Sequence, residues 1–163
     1  MSTIYIRPAT IDDAELVFAL INELAVYEKL EHEVVATLET SRESIFGPNS
    51  CTDVLIAELD GEPAGFAIFF ATYSTFLGRQ GIYLEDIYVR EALRGQGIGK
   101  QLLAGVARAA VERQCGRLEW SVLDWNKPSI DFYDSLGAVP HKEWIRYRMT
   151  GEALQGLANQ ANS

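Results

Sequence analysis

Residues 94–100 read Arg94-Gly95-Gln96-Gly97-Ile98-Gly99-Lys100, and the segments on either side decide what this stretch can be. Before it, Gly81 to Val89 is expected to form a strand. After it, Ile98, Leu102, Leu103, Val106 and Ala110 recur at helical spacing and are expected on one side of a long helix. A glycine loop feeding a helix gathers several backbone N–H groups at one point, and the helix start adds about half a positive charge. Such a turn suits a diphosphate. Two familiar phosphate motifs fail on spacing. A dinucleotide fingerprint needs a glycine three places after Gly97, where Lys100 stands, and a P-loop needs four residues between its glycines and then Lys-Ser/Thr. What fits is Arg-x-x-Gly-x-Gly on Arg94, Gly97 and Gly99, with a plain glycine-rich tight turn as the alternative.

Upstream, Thr3 to Arg7 reads as a short strand. Thr10, with Asp13 three places on, reads as the cap of a helix whose apolar stripe is Leu16, Val17, Leu20, Ile21 and Leu24. A polar segment with Glu28, Glu31, Glu33, Glu39 and Glu43 follows, with a short helix around Ser41 to Phe46. Val54 to Leu59 and Pro63 to Thr72 are strands joined by the hairpin turn Asp60-Gly61. Downstream, Gly116 is placed to end the long helix, and Leu118 to Leu123 is a strand. Lys127 to Leu136 is a helix with Pro128 in its first turn and Gly137 past its end. Trp144 to Met149 is expected as a last strand and the tail after Thr150 as one helical turn. Strands interspersed with helices predict one mixed α/β sheet.

The chain has 163 residues, 48% hydrophobic and 23% charged, which suits one domain over residues 1–163, its core at about 3–150 with a short tail. Lys and Arg number 14 against 23 Asp and Glu, a net charge of −9. That balance argues against a grip on nucleic acid, where cations supply most of the affinity, and suits a small cationic partner. Cys51 and Cys115 lack metal-ligand spacing and any framework of bridges, and His32 and His141 have no ligand neighbours, so no metal is expected. No secretory signal and no membrane-length apolar run is visible, which makes the cytoplasm the default location.

A second motif reads Trp125-Asn126-Lys127-Pro128-Ser129-Ile130-Asp131-Phe132-Tyr133, then Gly137. Seven helical steps return to nearly the same face two turns on, so Asn126 and Tyr133 can face one ligand. A phenol of reference pKa about 10 is close enough to a thiol near 8.5 to protonate a departing thiolate. The other reading makes Tyr133 a core aromatic whose hydroxyl finds a backbone partner. Together the glycine loop and this segment resemble the GNAT superfamily of N-acetyltransferases. That resemblance implies a mostly antiparallel, twisted mixed sheet flanked by helices. It implies acetyl-CoA as co-substrate, with the diphosphate at Arg94, Gly95, Gln96, Gly97, Ile98, Gly99 and Lys100. Pantetheine would lie along the backbone of Ile87, Tyr88 and Val89, with Asn126, Ser129 and Tyr133 also on the cofactor and Tyr133 as general acid.

The strand Tyr83-Leu84-Glu85-Asp86-Ile87-Tyr88-Val89 sets two adjacent carboxylates before the glycine loop. Successive strand residues face opposite sides, so one of them can bind a cationic acceptor or relieve its ammonium of a proton while the other is structural. Glu28, Glu31 and Glu33 make either an acidic funnel with them or a solvated face. From Thr3 to about Ala158 the chain resembles the diamine acetyltransferases, a group with spermidine/spermine and thialysine branches. Ile6-Arg7-Pro8-Ala9-Thr10 and Leu24-Ala25-Val26-Tyr27-Glu28 add to the motifs above. The resemblance implies a homodimer, with Glu28, Glu85 and Asp86 at the acceptor amine and Glu85 in a catalytic role. Tyr73-Ser74-Thr75-Phe76 stands where polyamine enzymes carry Tyr-Asp-Pro-Trp. Val122-Leu123-Asp124-Trp125-Asn126 and Gly151-Glu152-Ala153 look closer to the thialysine branch, so a lysine analogue or short diamine is expected over spermidine. The competing readings are a non-catalytic acyl-CoA-binding module and an acetyltransferase for protein or peptide amines.

Overall fold

The computed structural model of the chain describes residues 1–162, which divide after Ser121 into two compact units. The first unit carries a five-stranded sheet in the order β1 (Ile4–Pro8), β2 (Thr52–Leu59), β3 (Glu62–Ser74), β4 (Arg79–Val89) and β5 (Leu118–Trp120). The first three pairings are antiparallel and β4 pairs with β5 in parallel. Only the parallel pair needs a long crossover, and the helix α3 (Ile98–Glu112) supplies it. The expected mixed, mostly antiparallel sheet is therefore present.

Two helices, α1 (Ala14–Tyr27) and α2 (Leu38–Phe46), lie between β1 and β2 in the chain. Val17, Leu20 and Leu24 of α1 pack with Val54, Ile56, Phe66, Ile68 and Tyr88 of the sheet in one buried cluster. On α3 the buried residues are Ile98, Leu102, Leu103, Val106 and Ala110, the predicted stripe. The start of α1 is held by Arg7, whose guanidinium forks onto both Asp13 oxygens at 2.9 Å while its Nε donates to Glu58 at 2.8 Å. The Arg7 hydrogen bonds hold the Asp13 carboxyl below its ordinary range. At the β2–β3 hairpin both Asp60 (φ 52°) and Gly61 (φ 87°) are left-handed, the geometry of a two-residue turn.

The end of α3 departs from expectation. Gln114, not Gly116, takes the left-handed position (φ 57°), and Cys115 N donates to Ala110 O while Gln114 N donates to Val111 O. Those two bonds form a Schellman cap. Gly116 instead joins the start of β4, its N–H donating to Gln80 O at 2.9 Å.

The second unit contains α4 (Lys127–Ser135) and α5 (Gly151–Ala158). The expected strand at 144–149 is absent, and the strand expected to reach Leu123 stops at Trp120. Alternation alone does not make a strand; a ladder partner is needed for its backbone groups, and among the described residues this unit contains no strand. The tail helix spans 8 residues rather than a single turn.

Candidate active site

The loop opening α3 has the backbone that a diphosphate cradle requires. Gly97 is the N-cap of α3 at φ 87°, ψ 4°, and Gly95 has φ 80°. A Cβ at either would meet nothing within 4 Å, so these glycines answer to backbone conformation and open space rather than to packing. The first-turn N–H groups of any helix lack intrahelical acceptors, and here they follow three exposed residues, Gly95, Gln96 and Gly97. Buried Ile98 anchors the turn, and Lys100 is exposed one turn of chain later. The residues present thus fit an anionic diphosphate.

Arg94 enters the loop with its side chain already engaged. Its Nε donates to Val89 O at 2.8 Å, and its Cζ lies 4.2 Å from the Tyr27 ring centroid and 5.5 Å from that of Tyr88. Glu23, Val26, Tyr27, Tyr88, Glu91 and Arg94 line a cavity of about 260 Å³.

The β4 carboxylates sit at a break in the ladder. Ile68 faces Asp86 and Phe69 faces Leu84, so Glu85 is an extra residue, a β-bulge. Residues directly opposite share a face, which puts Asp86 with Ile68 and Tyr88 with Phe66, on the side of the α1 cluster. Leu84 and Ile87, opposite Phe69 and Ala67, share the other face, and the strict alternation expected of Glu85 and Asp86 is interrupted. Burial pushes the Asp86 carboxyl up to about 7, with the charges of Glu85 and Glu28 adding to the rise. Glu28, which caps the C-terminal end of α1, is raised by its own burial. The fold thereby brings Glu28, Glu85 and Asp86 into one electrostatic neighbourhood, which favours a cation.

This neighbourhood predicts a pH effect on stability. Asp86 binds its proton more tightly folded (about 7) than its ordinary 3.8, so its favourable contribution is full below 3.8 and disappears as pH rises through 7. Asp86→Asn should therefore be more stable than wild type at pH 8, by on the order of 2 kcal/mol of unfolding free energy once partial hydration is allowed for, and melt correspondingly higher, with the two proteins converging toward pH 4. Equal melting at pH 8 would show that the carboxyl is not strained by its surroundings.

In the second unit Asn126 is buried and caps α4, its Oδ1 accepting from Ser129 N at 3.4 Å. Tyr133 lies in the last turn of α4 with its ring 5.6 Å from that of Phe132, and Gly137 ends the helix at φ 87°. Asn126, Ser129 and Tyr133 are thus set on one element, Asn126 as its N-cap. Reading the sequence alone missed the contact of Tyr27 with Arg94. The signal was slight, a tyrosine next to Glu28 at the end of α1. Among the described residues no three potential metal ligands cluster, and no helix is long and apolar enough to cross a membrane.

Comparison with known proteins adds to this geometry. The model of the acetyltransferase (GNAT) family matches residues 17–138. The thialysine N-epsilon-acetyltransferase of Sus scrofa is 40% identical over 171 residues, covering 98% of this chain and 100% of that protein. The L-ornithine N5-acetyltransferase of Arabidopsis thaliana is 34% identical, covering 93% of this chain and 86% of its own length. Among solved structures, an integron cassette protein from the mobile metagenome of V. cholerae superposes with a TM-score of 0.80 at 27% identity, covering 96% of this chain and 98% of that one.

Proposed function

The chain belongs to the GNAT family of acetyltransferases, and from that premise we propose that it transfers an acetyl group from acetyl-CoA directly to a primary amine of a small dicationic acceptor. A thialysine-like amino acid, ornithine or a short diamine is the favoured class. The observation that carries the acceptor class is the carboxylate neighbourhood of Glu28, Glu85 and Asp86, with Asp86 raised to about 7. The names of the two relatives, one for thialysine and one for ornithine, point the same way.

Bound acetyl-CoA supplies a thioester whose acyl carbon receives the amine nitrogen while the carbon–sulfur bond breaks. The amine must first lose a proton. An alkylammonium has a pKa near 10, so passing its proton to a carboxylate near 7 is uphill by about three units, against about six for an ordinary carboxylate. Asp86 is thus tuned toward accepting that proton, with Glu85 beside it able to relay through water and Glu28 holding the distal cation. The backbone of Gly95 to Lys100, with Arg94, takes the diphosphate. Main-chain groups of Ile87 to Val89 take the pantetheine, and Asn126 and Ser129 contribute to the same coenzyme. Tyr133 gives its phenolic proton to the leaving thiolate. No covalent enzyme intermediate enters this reading, since neither cysteine lies in a motif. A homodimer, which the family resemblance supports, completes the reading, with the cytoplasm as its default location.

Thiol release from acetyl-CoA, followed with thialysine, ornithine, diaminopropane, putrescine, spermidine and a lysine peptide, tests the proposal. The expected order puts thialysine, ornithine or a short diamine highest in kcat/KM. The peptide ranking first would move the acceptor class to proteins. CoA binding with no release for any amine would favour a sensing module.

A further inference from the structure

We infer that Tyr27 is a positioning residue for the coenzyme, holding the Arg94 guanidinium so that the glycine loop is set for the diphosphate before it arrives. The inference rests on the diphosphate reading of that loop. Tyr27 closes α1 and Arg94 immediately precedes Gly95, so one stacked pair joins the helix end to the loop entrance. At 4.2 Å the guanidinium carbon sits at contact distance over the ring, where the negative face of the π-system attracts a cation. Tyr88 approaches the same guanidinium at 5.5 Å, and the bond from Arg94 Nε to Val89 O fixes its stem. Two elements, α1 and the end of β4, therefore converge on the one planar cation that the loop presents.

The arrangement has a further consequence within the first unit. Glu28 follows Tyr27 directly, so the residue that braces the coenzyme loop is adjacent to one assigned to the acceptor. Neighbouring Arg90 reaches α1 as well, pairing with Glu23 at 3.1 Å and donating to Pro63 O at 3.0 Å. That second brace fixes the helix independently, which leaves the Tyr27–Arg94 stack to set the loop rather than the helix. A flexible loop must be ordered when ligand binds; ordering it beforehand lowers the cost of binding.

Calorimetric CoA binding and steady-state kinetics on Tyr27→Phe, Tyr27→Leu and Arg94→Lys, each with its melting temperature, test this. Tyr27→Phe keeps the ring and should match wild type within about twofold. Tyr27→Leu and Arg94→Lys, which lose the ring or the planar cation, should each weaken CoA and raise the acetyl-CoA KM by roughly five- to tenfold. In Tyr27→Leu the kcat and amine KM should hold, whereas a general folding defect would lower kcat and the melting temperature together. CoA affinity in Tyr27→Leu equal to wild type overturns the inference and leaves the proposed function standing. Equal losses in Tyr27→Phe and Tyr27→Leu would assign the effect to the hydroxyl and also overturn it. Wild-type protein that fails to bind CoA at all would remove the diphosphate reading and this inference together.

Discussion

Tyr133→Phe is expected to lower kcat about 100-fold while CoA affinity stays within about twofold of wild type. The substitution removes one oxygen and leaves the ring, so its contact with Phe132 survives. The backbone role of this residue is untouched as well, since Tyr133 O accepts from both Leu136 N and Ala138 N as the helix closes. The loss is therefore directed at chemistry. An alkyl thiolate must otherwise leave unprotonated or take its proton from water, and general-acid assistance is worth roughly 10²- to 10⁴-fold. The low end applies because a thiolate is already a competent leaving group. Raising the pH should separate proton donation from mere ring placement: wild-type kcat should fall as the phenol ionises, and the Phe variant should be flat there. Turnover at the wild-type level with a good amine would remove Tyr133 from the mechanism and favour its reading as a packed aromatic.

What the sequence conveys about this fold depends on whether a feature is local. Helix α3 could be read because its apolar stripe repeats over four turns and the burial follows it residue by residue. The hairpin at Asp60-Gly61 could be read because a two-residue turn has few solutions. The β-bulge at Glu85 could not, because register belongs to a pair of strands and nothing in Tyr83 to Val89 says which residue the ladder skips. The same limit hid the elevated Asp86 carboxyl, whose environment includes Glu28 from 58 residues earlier in the chain. Gln114 shows a third kind of failure. Glycine is the usual left-handed cap, but the left-handed position falls two residues before Gly116, and the Schellman bonds carried a glutamine into that conformation. Trp144 to Met149 had the right alternation and no ladder to join.

Gly97→Val should abolish measurable coenzyme binding, a loss of at least about 100-fold, and this tests the loop independently of any acceptor. Two effects act together. At φ 87° a β-branched residue lies in a conformation that costs on the order of 1–3 kcal/mol, and relief of that strain would pull the N-cap away from its helix. The side chain would also enter the open space ahead of α3, where nothing now lies within 4 Å of the added carbon and where a diphosphate must come to meet the first-turn N–H groups. Gly97→Ala separates the two, since alanine carries a smaller conformational penalty and only one methyl. It should lose about tenfold in CoA affinity and keep a melting temperature near that of wild type. The anchoring of α3 by Ile98, Leu102, Leu103 and Val106 makes a folded Val variant the expected material, because the glycine contributes no packing to that face. A folded Gly97→Val protein that binds CoA within threefold of wild type would place the diphosphate elsewhere, and the roles given to Arg94 and Gly95 to Lys100 would fall with it.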